Sequence, residues 1–496
     1  MAYLLGYDIG SSSIKAALLN VEGSLVATAT SPQTELEMIA LKPGWAEQEP
    51  RTWWEHVKLA TTEILGKSRV NPEEIKAIGL SYQMHGLVVV DRAGEVLRPA
   101  IIWCDSRAAG IGDRAFANLG EDACLARFLN SPGNFTASKL KWVQENEPEI
   151  YGKIHKAMLP GDYIALKMTG EIKTTPSGLS EGILWDFQEQ KLAETQLKYY
   201  GIDQDLIPEV VPAFSPQGQL SAKAAAELGL KPGTVVAYRA GDQPNNAFSL
   251  NVLNPGEVAA TAGTSGVVYG VGEKPEYDPK SRVNTFLHVN HQPGAPRYGI
   301  LLCLNGTGSL NRWLKQNLMA EAVTYDEMNR LAAAVPAGAE GLMIFPYGNG
   351  AERTLENKEL NASIQGLNFN LHHRGHLLRA GQEGIVFALN YGLGIMKQMG
   401  VKINLVRAGQ ANMFLSPLFG EVFATVTGAR VELYNTDGAQ GAARGAGLGA
   451  GIYGAPAEAF AGLKTEKTIE PNPKLVPVYQ ELYEKWAAVL QAQLRK

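Results

Sequence analysis

The chain has 496 residues, of which 45% are hydrophobic and 19% charged, and its formal net charge is −5 at pH 7. This length predicts two or more domains, and the composition is ordinary for a globular protein. The slight negative charge and the lack of a strongly basic tract argue against nucleic acid as the main partner. No apolar run approaches the roughly 18 residues of a membrane-spanning helix, so we expect no membrane partner.

The cysteines and the start of the chain bear on its cellular location. Cys104, Cys124 and Cys303 are scattered and form no CxxC pair, which is typical of a reducing compartment. The chain enters an apolar run at Tyr3 without a basic segment or a cleavage pattern before it. These features predict a cytoplasmic protein. A homodimer is compatible with the sequence, which does not fix the oligomeric state.

The order of the predicted elements indicates an α/β architecture, first in residues 1–250 and again in residues 251–496. The predicted elements are a three-stranded meander at 3–30, a helix at 52–67, strands at 77–80, 87–90, 342–345 and 403–406, and helices at 383–399, 415–427 and 479–494. Strands that alternate with helices are typical of α/β domains with a mixed sheet. We therefore predict two similar α/β domains with a cleft between them.

Two glycine-rich turns lie far apart in the sequence and share one pattern. Each joins two apolar runs, and the turns span residues 6–13 and 261–266. Small residues let backbone amides and hydroxyls approach an anion closely, so the pair predicts a clamp for a polyphosphate. Only the first turn contains a carboxylate, Asp8, which suits a nucleotide whose phosphates carry a metal ion.

Two acidic residues are candidates for chemistry. Asp242 follows the apolar run 235–238, and Gly241 and Gln243 place it on a turn. A carboxylate at a strand end commonly faces a cleft, where it can accept the proton of a substrate hydroxyl. The alternative is a turn-forming aspartate that accepts local amides. Asp8 in the same way either holds Mg²⁺ or caps the first turn.

Several motifs, in this order along the chain, resemble those of the FGGY carbohydrate kinases, a family with the actin and hexokinase fold. The two glycine turns are similar to the phosphate loops of that family, and residues 139–146 are similar to its signature. Further similar segments are 43–48, 103–107, 241–243 and 348–353. Short glycine motifs recur by chance, whereas their shared order over nearly the whole chain is specific.

The resemblance implies a fold and a reaction. The fold is α/β, with two RNase H-like domains of the actin/hexokinase type around a central catalytic cleft. Residues 1–250 would form an N-terminal sugar-binding domain and residues 251–496 a C-terminal nucleotide-binding domain. The reaction would transfer the γ-phosphoryl group of Mg-ATP to a sugar hydroxyl after domain closure, with Asp242 as the base and Asp8 on the metal side.

The resemblance also implies which residues contact ATP. The implied phosphate contacts are Ser11, Ser12, Gly263, Thr264 and Ser265. Gly409 and Asn412 are the implied contacts on the adenosine side. Arg407 stands where the family has a small glycine and would crowd the loop if it pointed at the nucleotide. From the residues alone, Asn412 either contacts the base or caps the following helix.

A tetrapeptide at 83–86, Gln-Met-His-Gly, narrows the range of candidate sugar substrates. It resembles the substrate loop of xylulokinases, which makes Met84 and His85 implied sugar contacts. Without the resemblance, Met84 would be a core residue and His85 a histidine satisfied by local backbone. Gln243, beside Asp242, is also an implied sugar contact, although this pair is closer to the glycerol kinase pattern.

The segment 103–107 supplies further candidates around the sugar. Trp103 either stacks on the sugar or fills the core, and the sequence does not decide between the two. We predict that Asp105 and Arg107 form an ion pair that shapes the pocket. Asn134 is a candidate polar contact, since glycerol kinases carry an aromatic ligand at the aligned place.

We therefore expect phosphorylation of D-xylulose to D-xylulose 5-phosphate, a step of xylose metabolism, with ATP and Mg²⁺. One alternative is a kinase for glycerol, ribulose, sedoheptulose or another polyol. The other is a non-catalytic, sugar-responsive ATPase on the actin fold. That protein would need the two phosphate turns but neither Asp242 nor the 83–86 loop.

Overall fold

The computed structural model describes residues 1–320 and 322–495, which cluster into two compact units. Unit 1 comprises Met1–Asn251, Phe286–Tyr298 and Thr436–Leu463. Unit 2 comprises Val252–Thr285, Gly299–Asn435 and the chain from Lys464 onward. Two segments of the second half of the chain therefore cluster with unit 1. None of the helices in the described ranges combines the length and the hydropathy that crossing a bilayer requires.

Unit 1 is built on a six-stranded sheet in the order β5-β6-β4-β1-β2-β3. The strands β1 to β6 are Tyr3–Ile9, Ile14–Asn20, Leu25–Ser31, Ile75–Tyr82, Phe214–Gln219 and Val235–Gly241. The first three form the antiparallel meander that the sequence predicts. Strand β4 runs parallel to both of its neighbours, β1 and β6. The carboxyl ends of these three strands therefore meet at one edge of the sheet.

Helices and short strand pairs complete unit 1. The helices are Pro50–Ser68, Ala109–Leu119, Glu121–Phe128, Thr136–Asn146, Pro148–Tyr151, Pro160–Thr169, Pro176–Glu181, Glu194–Tyr200, Ala222–Leu228, Asp242–Ser249, Gly438–Gly449 and Pro456–Ala459, with 3-10 turns at Pro72–Glu74 and Gln204–Leu206. The short pairs are Glu47–Gln48 with Ala100–Ile101, Val88–Val90 with Lys156–Met158, Lys173–Thr174 with Glu209–Val210, and Trp185–Asp186 with Lys191–Leu192.

The first helix shows how the sequence pattern produces the core of unit 1. Pro50 occupies its first turn, where the missing amide costs nothing, and the Glu49 side chain accepts a hydrogen bond from the Arg51 amide. One stripe of the helix is buried, formed by Trp53, Trp54, Val57, Ala60 and Ile64. This stripe packs in one apolar cluster with residues of β1, β2 and β4.

Unit 2 is built on a second sheet of seven strands, in the order β9-β10-β8-β7-β11-β12-β13. The strands β7 to β13 are Val258–Ala262, Gly266–Gly272, Asn284–Leu287, Tyr298–Leu304, Leu405–Gly409, Arg430–Tyr434 and Thr465–Ile469. Strands β7 and β8 form an antiparallel hairpin around the second glycine turn. Strand β11 runs parallel to both β7 and β12. The turn after β7 and the loop after β11 therefore lie at the same edge.

The helices of unit 2 include the three that the sequence predicts, two of which begin earlier than predicted. The helices are Gly308–Leu318, Tyr325–Ala333, Arg374–Gln398, Pro417–Thr427 and Val476–Leu494, with 3-10 turns at Ala339–Gly341, Arg353–Leu355 and Asn412–Leu415 and a strand pair Met343–Phe345 with Ser363–Gln365. The helix predicted at 383–399 begins earlier, because polar residues in its first half are buried and paired: Arg379 Nε donates to Glu383 Oε1 at 2.8 Å. The predicted C-terminal helix packs on this unit, where Trp486 is fully buried.

Candidate active site

Three chain segments converge at the carboxyl edge of the sheet in unit 1. In the register of the sheet, Asp8 on β1 lies opposite Ser81 on β4, and Tyr82 on β4 lies opposite Gly241 on β6. Asp8, the loop after Tyr82 and Asp242 after Gly241 are thereby placed side by side. Ligands of α/β sheets bind at the carboxyl ends of the strands, so this edge is a candidate site.

Asp8 is held at this edge between a serine and a helix N-terminus. Ser81 Oγ donates to Asp8 Oδ1 at 2.9 Å. A Cβ at Gly438, the first residue of the helix Gly438–Gly449, would lie 2.5 Å from Asp8 Oδ2. Burial raises the pKa of Asp8, the nearby Asp437 adds to the rise, and Lys15 and Ser81 oppose it. A cation beside Asp8 would offset the repulsion between the carboxylates of Asp8 and Asp437.

Asp242 does not lie on a turn, as the sequence suggested, but begins the helix Asp242–Ser249 directly after β6. Gly241 precedes the helix, and Pro244 lies in its first turn, where a missing amide breaks no helical hydrogen bond. Burial raises the pKa of Asp242 to about 7, with Asp8 adding and hydrogen bonds from Gln243 opposing. A carboxyl group with this pKa exchanges protons readily near neutral pH.

Glu181 is a third carboxyl at this place, and the sequence analysis missed it. A Cβ at Gly241 would lie 2.7 Å from both Glu181 Oε2 and Met84 Cγ, so only glycine fits beneath Asp242. Burial raises the pKa of Glu181 well above its usual range, with Asp242 adding and the Tyr82 hydroxyl opposing. Burial therefore disfavours the charged form of Glu181. Its position at the end of the short helix Pro176–Glu181 carries no sequence signal of a site.

His85 is fixed by contacts on both sides of its ring. Its backbone is left-handed, with φ of 61°, and the ring Nδ1 lies 2.9 Å from the Glu181 carbonyl oxygen. The rings of Phe135 and Phe286 lie 4.8 and 5.5 Å from the imidazole, centroid to centroid. Met84 is buried beside it. The Met-His pair thus has a defined orientation at the strand end.

Lys139 supports the same loop from below. Its ammonium donates to the carbonyl oxygens of His85 and Ile102, each at 2.9 Å. The side chain is fully buried, and burial lowers the pKa of Lys139 to about 7 although Asp105 opposes the shift. The sequence analysis noted Lys139 as part of a family signature without giving it a role.

Trp103 does not fill the core. Its side chain is exposed, and its indole Nε1 donates to Ser11 Oγ at 3.3 Å, which connects the tryptophan to the first glycine turn. Ser12 in the same turn is exposed. Of the two alternatives for Trp103, core filling is therefore wrong, and stacking on a ligand stays a prediction.

The predicted ion pair of Asp105 and Arg107 is confirmed. Arg107 Nη2 donates to Asp105 Oδ2 at 2.7 Å, and Asp105 also accepts the Ala46 amide at 2.6 Å. Asn134 Nδ2 donates to the Asp105 carbonyl oxygen. The pair is buried and ties separate loops together, whereas a contact of Asn134 with a sugar stays a prediction.

The second glycine turn, in unit 2, is held from behind by the start of a helix. The amides of Gly308 and Ser309 donate to the carbonyl oxygens of Gly263 and Thr264 at 2.8 and 3.1 Å. Thr264 is exposed and Ser265 partly buried. A turn whose carbonyls are bonded behind it can present its amides and hydroxyls to an anion in front.

The loop after β11 brings Asn412 to this turn. Asn412 Nδ2 lies 3.5 Å from the place a Cβ at Gly263 would take, and the Ala411 amide donates to the Gly409 carbonyl oxygen at 2.8 Å. The capping alternative for Asn412 is wrong, because Ser416 caps the helix Pro417–Thr427. Asn412 is thus positioned beside the second turn.

Arg407 does not crowd this loop. Its guanidinium lies 3.6 Å from Glu257 Oε1 and 3.7 Å from Glu432 Oε2. The side chain of Arg407, which departs from the family pattern, is therefore paired with two carboxylates.

The predicted site residues thus form two sets. Unit 1 brings together Ser11, Ser12, Asp8, Met84, His85, Trp103, Asp242 and Gln243, and unit 2 brings together Gly263, Thr264, Ser265, Gly409 and Asn412. In the described residues, no group of three or more His, Cys, Asp or Glu side chains is arranged to hold a metal ion. One carboxylate with substrate phosphates is, however, a common way to bind Mg²⁺.

Comparison with known proteins places this geometry in a family. The models of the N-terminal and C-terminal domains of the FGGY family of carbohydrate kinases match residues 3–249 and 258–452. A xylulose kinase of Bacillus subtilis is 31% identical over 91% of this chain and 89% of its own length. A xylulose kinase of Escherichia coli is 30% identical over 94% of this chain and 93% of its own length.

Solved structures agree with this placement. The crystal structure of a xylulose kinase from Rhodospirillum rubrum is 27% identical and superposes with a TM-score of 0.87, over 100% of both chains. That agreement fixes the fold as the two-domain, mixed α/β fold of these kinases. The chain therefore belongs to the FGGY family of carbohydrate kinases and is a sugar kinase that uses ATP.

Proposed function

We propose that the chain transfers the γ-phosphoryl group of Mg-ATP to the terminal hydroxyl of D-xylulose and forms D-xylulose 5-phosphate. The observation that supports this most is the placement of Asp242 beside Met84 and His85 at one edge of the sheet in unit 1. Relatives that share about 30% of the sequence are xylulose kinases. Membership of a kinase family removes the non-catalytic ATPase from the alternatives.

In this proposal Asp242 is the general base. A sugar hydroxyl must lose its proton as the new P–O bond forms, and a carboxylate within hydrogen-bond reach can accept it. Because the pKa of Asp242 is raised to about 7, its basic form becomes populated as the pH rises through neutrality. We therefore expect kcat/KM to rise with pH through about 7, measured with saturating Mg-ATP; a flat profile from pH 5.5 to 8 would contradict the assignment.

His85 and Met84 would bind and orient the sugar. The imidazole can exchange hydrogen bonds with hydroxyl groups, and its ring is held by the Glu181 carbonyl and two phenylalanines. The Met84 thioether would pack on the apolar face of the sugar. Gln243, whose side-chain oxygen has no hydrogen-bond partner among the described residues, can take up a further hydroxyl. Trp103 is a candidate to stack on the same ligand.

Asp8 would hold Mg²⁺ together with the phosphates of ATP. The residues present fit the ion, since a carboxylate oxygen is a preferred ligand and like charges from Asp242 and Asp437 surround it. When bound, Mg²⁺ would neutralise charge on the transferred group. Ser11, Ser12, Gly263, Thr264 and Ser265 would contact the phosphates, and Gly409 and Asn412 the adenosine.

The proposal is tested by ADP release from the purified protein over a panel of ketoses and polyols, with D-xylulose, D-ribulose, sedoheptulose and glycerol as members. We expect the highest kcat/KM for D-xylulose and identification of the 5-phosphate in its product. A higher kcat/KM for glycerol or another member would overturn the D-xylulose assignment and leave a kinase of that substrate. The division of sugar and nucleotide binding between residues 1–250 and 251–496, a homodimer and a cytoplasmic location stay predictions.

A further inference from the structure

Glu352 is a buried acidic residue of unit 2 that the proposed chemistry does not use. It is 1% exposed and lies just before the 3-10 turn Arg353–Leu355. Glu352 Oε1 accepts the Asn305 amide at 2.9 Å, and the Gly306 amide also hydrogen bonds to this carboxyl. A buried carboxyl that receives two consecutive amides fixes the backbone that carries them, because an amide without a partner inside a protein is costly.

The backbone that Glu352 fixes leads directly to the second glycine turn. Asn305 and Gly306 follow β10 and precede the helix Gly308–Leu318. The first two amides of this helix, those of Gly308 and Ser309, donate to the carbonyl oxygens of Gly263 and Thr264. The carboxyl is therefore connected to the turn through one short loop, by hydrogen bonds at each step.

Because of peptide geometry, these contacts fix the directions of the Thr264 and Ser265 amides. A peptide group is planar and trans, so the amide hydrogen points opposite to the carbonyl oxygen of the same group. When the Gly263 carbonyl is directed at the Gly308 amide, the Thr264 amide of that peptide group is directed the other way. The Thr264 carbonyl and the Ser265 amide are related in the same manner. Two successive amides directed away from the supporting helix form a concave anion site.

We propose that Glu352 is a positioning residue for nucleotide binding: it fixes the 305–309 loop, which in turn orients the amides of the second glycine turn toward phosphate. This inference rests on the proposed function, in which that turn binds the phosphates of ATP. Asn349 supports the same loop, since its Nδ2 lies 3.2 Å from the Asn305 carbonyl and 3.0 Å from Ser309 Oγ. The sugar-binding residues proposed above all lie in unit 1, so the inference is specific to the nucleotide.

The test compares Glu352→Ala and Glu352→Gln with wild type by calorimetric titration of ADP and by separate KM values for ATP and D-xylulose. For Glu352→Ala we expect ADP binding about tenfold weaker and a matching rise in KM for ATP, with KM for D-xylulose changed less than about twofold. Glu352→Gln should bind ADP within about twofold of wild type at pH 7, because the amide side chain resembles the protonated carboxyl. The matched control is Glu356→Ala, whose exposed carboxylate pairs with Lys280 at 2.8 Å, and it should behave as wild type.

The proposal is overturned if folded Glu352→Ala binds ADP as wild type does, or if KM for D-xylulose rises as much as KM for ATP. If Glu352→Ala does not fold, as judged by circular dichroism, Glu352→Asp decides, since it keeps the carboxyl but withdraws it from the two amides. Weaker ADP binding in Glu352→Asp supports the proposal, and unchanged binding overturns it. Failure of the proposed function would look different, because wild type itself would then bind no ADP or release none with any sugar.

Discussion

The carboxyl edges of the two sheets carry their charges in different places. In unit 1, Asp8, Asp242 and Glu181 lie at the edge itself, and their pKa values are all raised. In unit 2, the turn at the edge contains only small and hydroxyl residues, while the carboxyl of Glu352 lies behind it and Arg407 is paired with two carboxylates. In the proposed function, this difference would separate acid–base chemistry at the first edge from anion binding at the second.

The physical reason is the charge of the ligand that each edge would meet. A carboxylate in front of a phosphate repels it unless a cation lies between them. If the second turn binds phosphate as proposed, a supporting carboxyl is better placed behind the turn, as Glu352 is through Asn305. In the proposed function, the first edge would need one carboxylate to accept a proton and another to hold Mg²⁺. Variants of Asp242, Asp8, Lys139 and Glu352 test this contrast.

Asp242→Asn removes the proposed base from the first edge and is expected to lower kcat by about 10²–10⁴-fold. Binding of ADP, measured by calorimetry, should be unchanged. Asp203→Asn is the control, because Asp203 is an exposed cap whose role asparagine can also fill. A kcat within about twofold of wild type in Asp242→Asn would contradict the assignment of Asp242 as the general base.

Asp8→Asn tests whether the first turn differs from the second because of a metal ion. The concentration of Mg²⁺ for half-maximal activity should rise at least about tenfold, since the ion loses its charged ligand. Ser81→Ala serves as the comparison, because it removes the 2.9 Å hydrogen bond to Asp8 but keeps the carboxylate. In this variant the Mg²⁺ concentration for half-maximal activity should rise less than in Asp8→Asn. Equal Mg²⁺ requirements in Asp8→Asn and wild type would mean that the carboxylate has another role.

Lys139→Met tests whether the buried lysine supports sugar binding at the edge of unit 1. Without its ammonium the His85 carbonyl loses a hydrogen-bond donor, and we expect the KM for D-xylulose to rise about tenfold, which corresponds to about 1.4 kcal/mol. The KM for ATP should stay within about twofold. Lys141→Met, two residues along the same helix and partly exposed, is the matched control. Parallel changes in both KM values would contradict a role confined to the first edge.

Glu352→Gln tests the support behind the second turn through stability. The pKa of Glu352 is raised from 4.5 to about 8, chiefly by burial, so between these values the folded protein keeps a proton that the unfolded chain has released. Rising pH therefore lowers the free energy of unfolding across this window. In Glu352→Gln the decline should be shallower by up to about 1.4 kcal/mol per pH unit.

Urea unfolding of the protein at pH 5, 6, 7 and 8, followed by circular dichroism, provides the measurement. Glu356→Gln is the control and should follow the wild-type curve, because Glu356 is exposed. Identical slopes for Glu352→Gln and wild type would show that this carboxyl ionises at its ordinary pH.

Local pattern was enough to predict the elements around the two glycine turns and several of the longer helices. The meander at 3–30 and the hairpin around 261–266 follow from apolar runs joined by small residues, and both are confirmed. The predictions fail where buried polar residues interrupt the pattern, as in the first half of the helix Arg374–Gln398. A helix start at Asp242 was missed because glycine and proline in 241–244 resemble a turn.

The candidate site residues that lie in motifs were predictable from sequence, whereas the residues that hold them in place were not. Motifs identified Asp8, Asp242, Met84 and His85, since each lies next to a strand end. No role could be assigned from sequence to Lys139, Glu181 or Glu352, because their partners lie far away in the chain: Lys139 contacts His85, Glu181 lies against Gly241, and Glu352 accepts from Asn305.

The family, the α/β class and the residue types available for phosphoryl transfer could be inferred from the chain alone, because these depend on short motifs and their order. Which carboxyl groups have raised pKa values, and which contacts hold each loop, became visible only in the folded protein. The reason is physical: a pKa depends on burial and on charges brought near by folding, and neither is a property of neighbours in the chain.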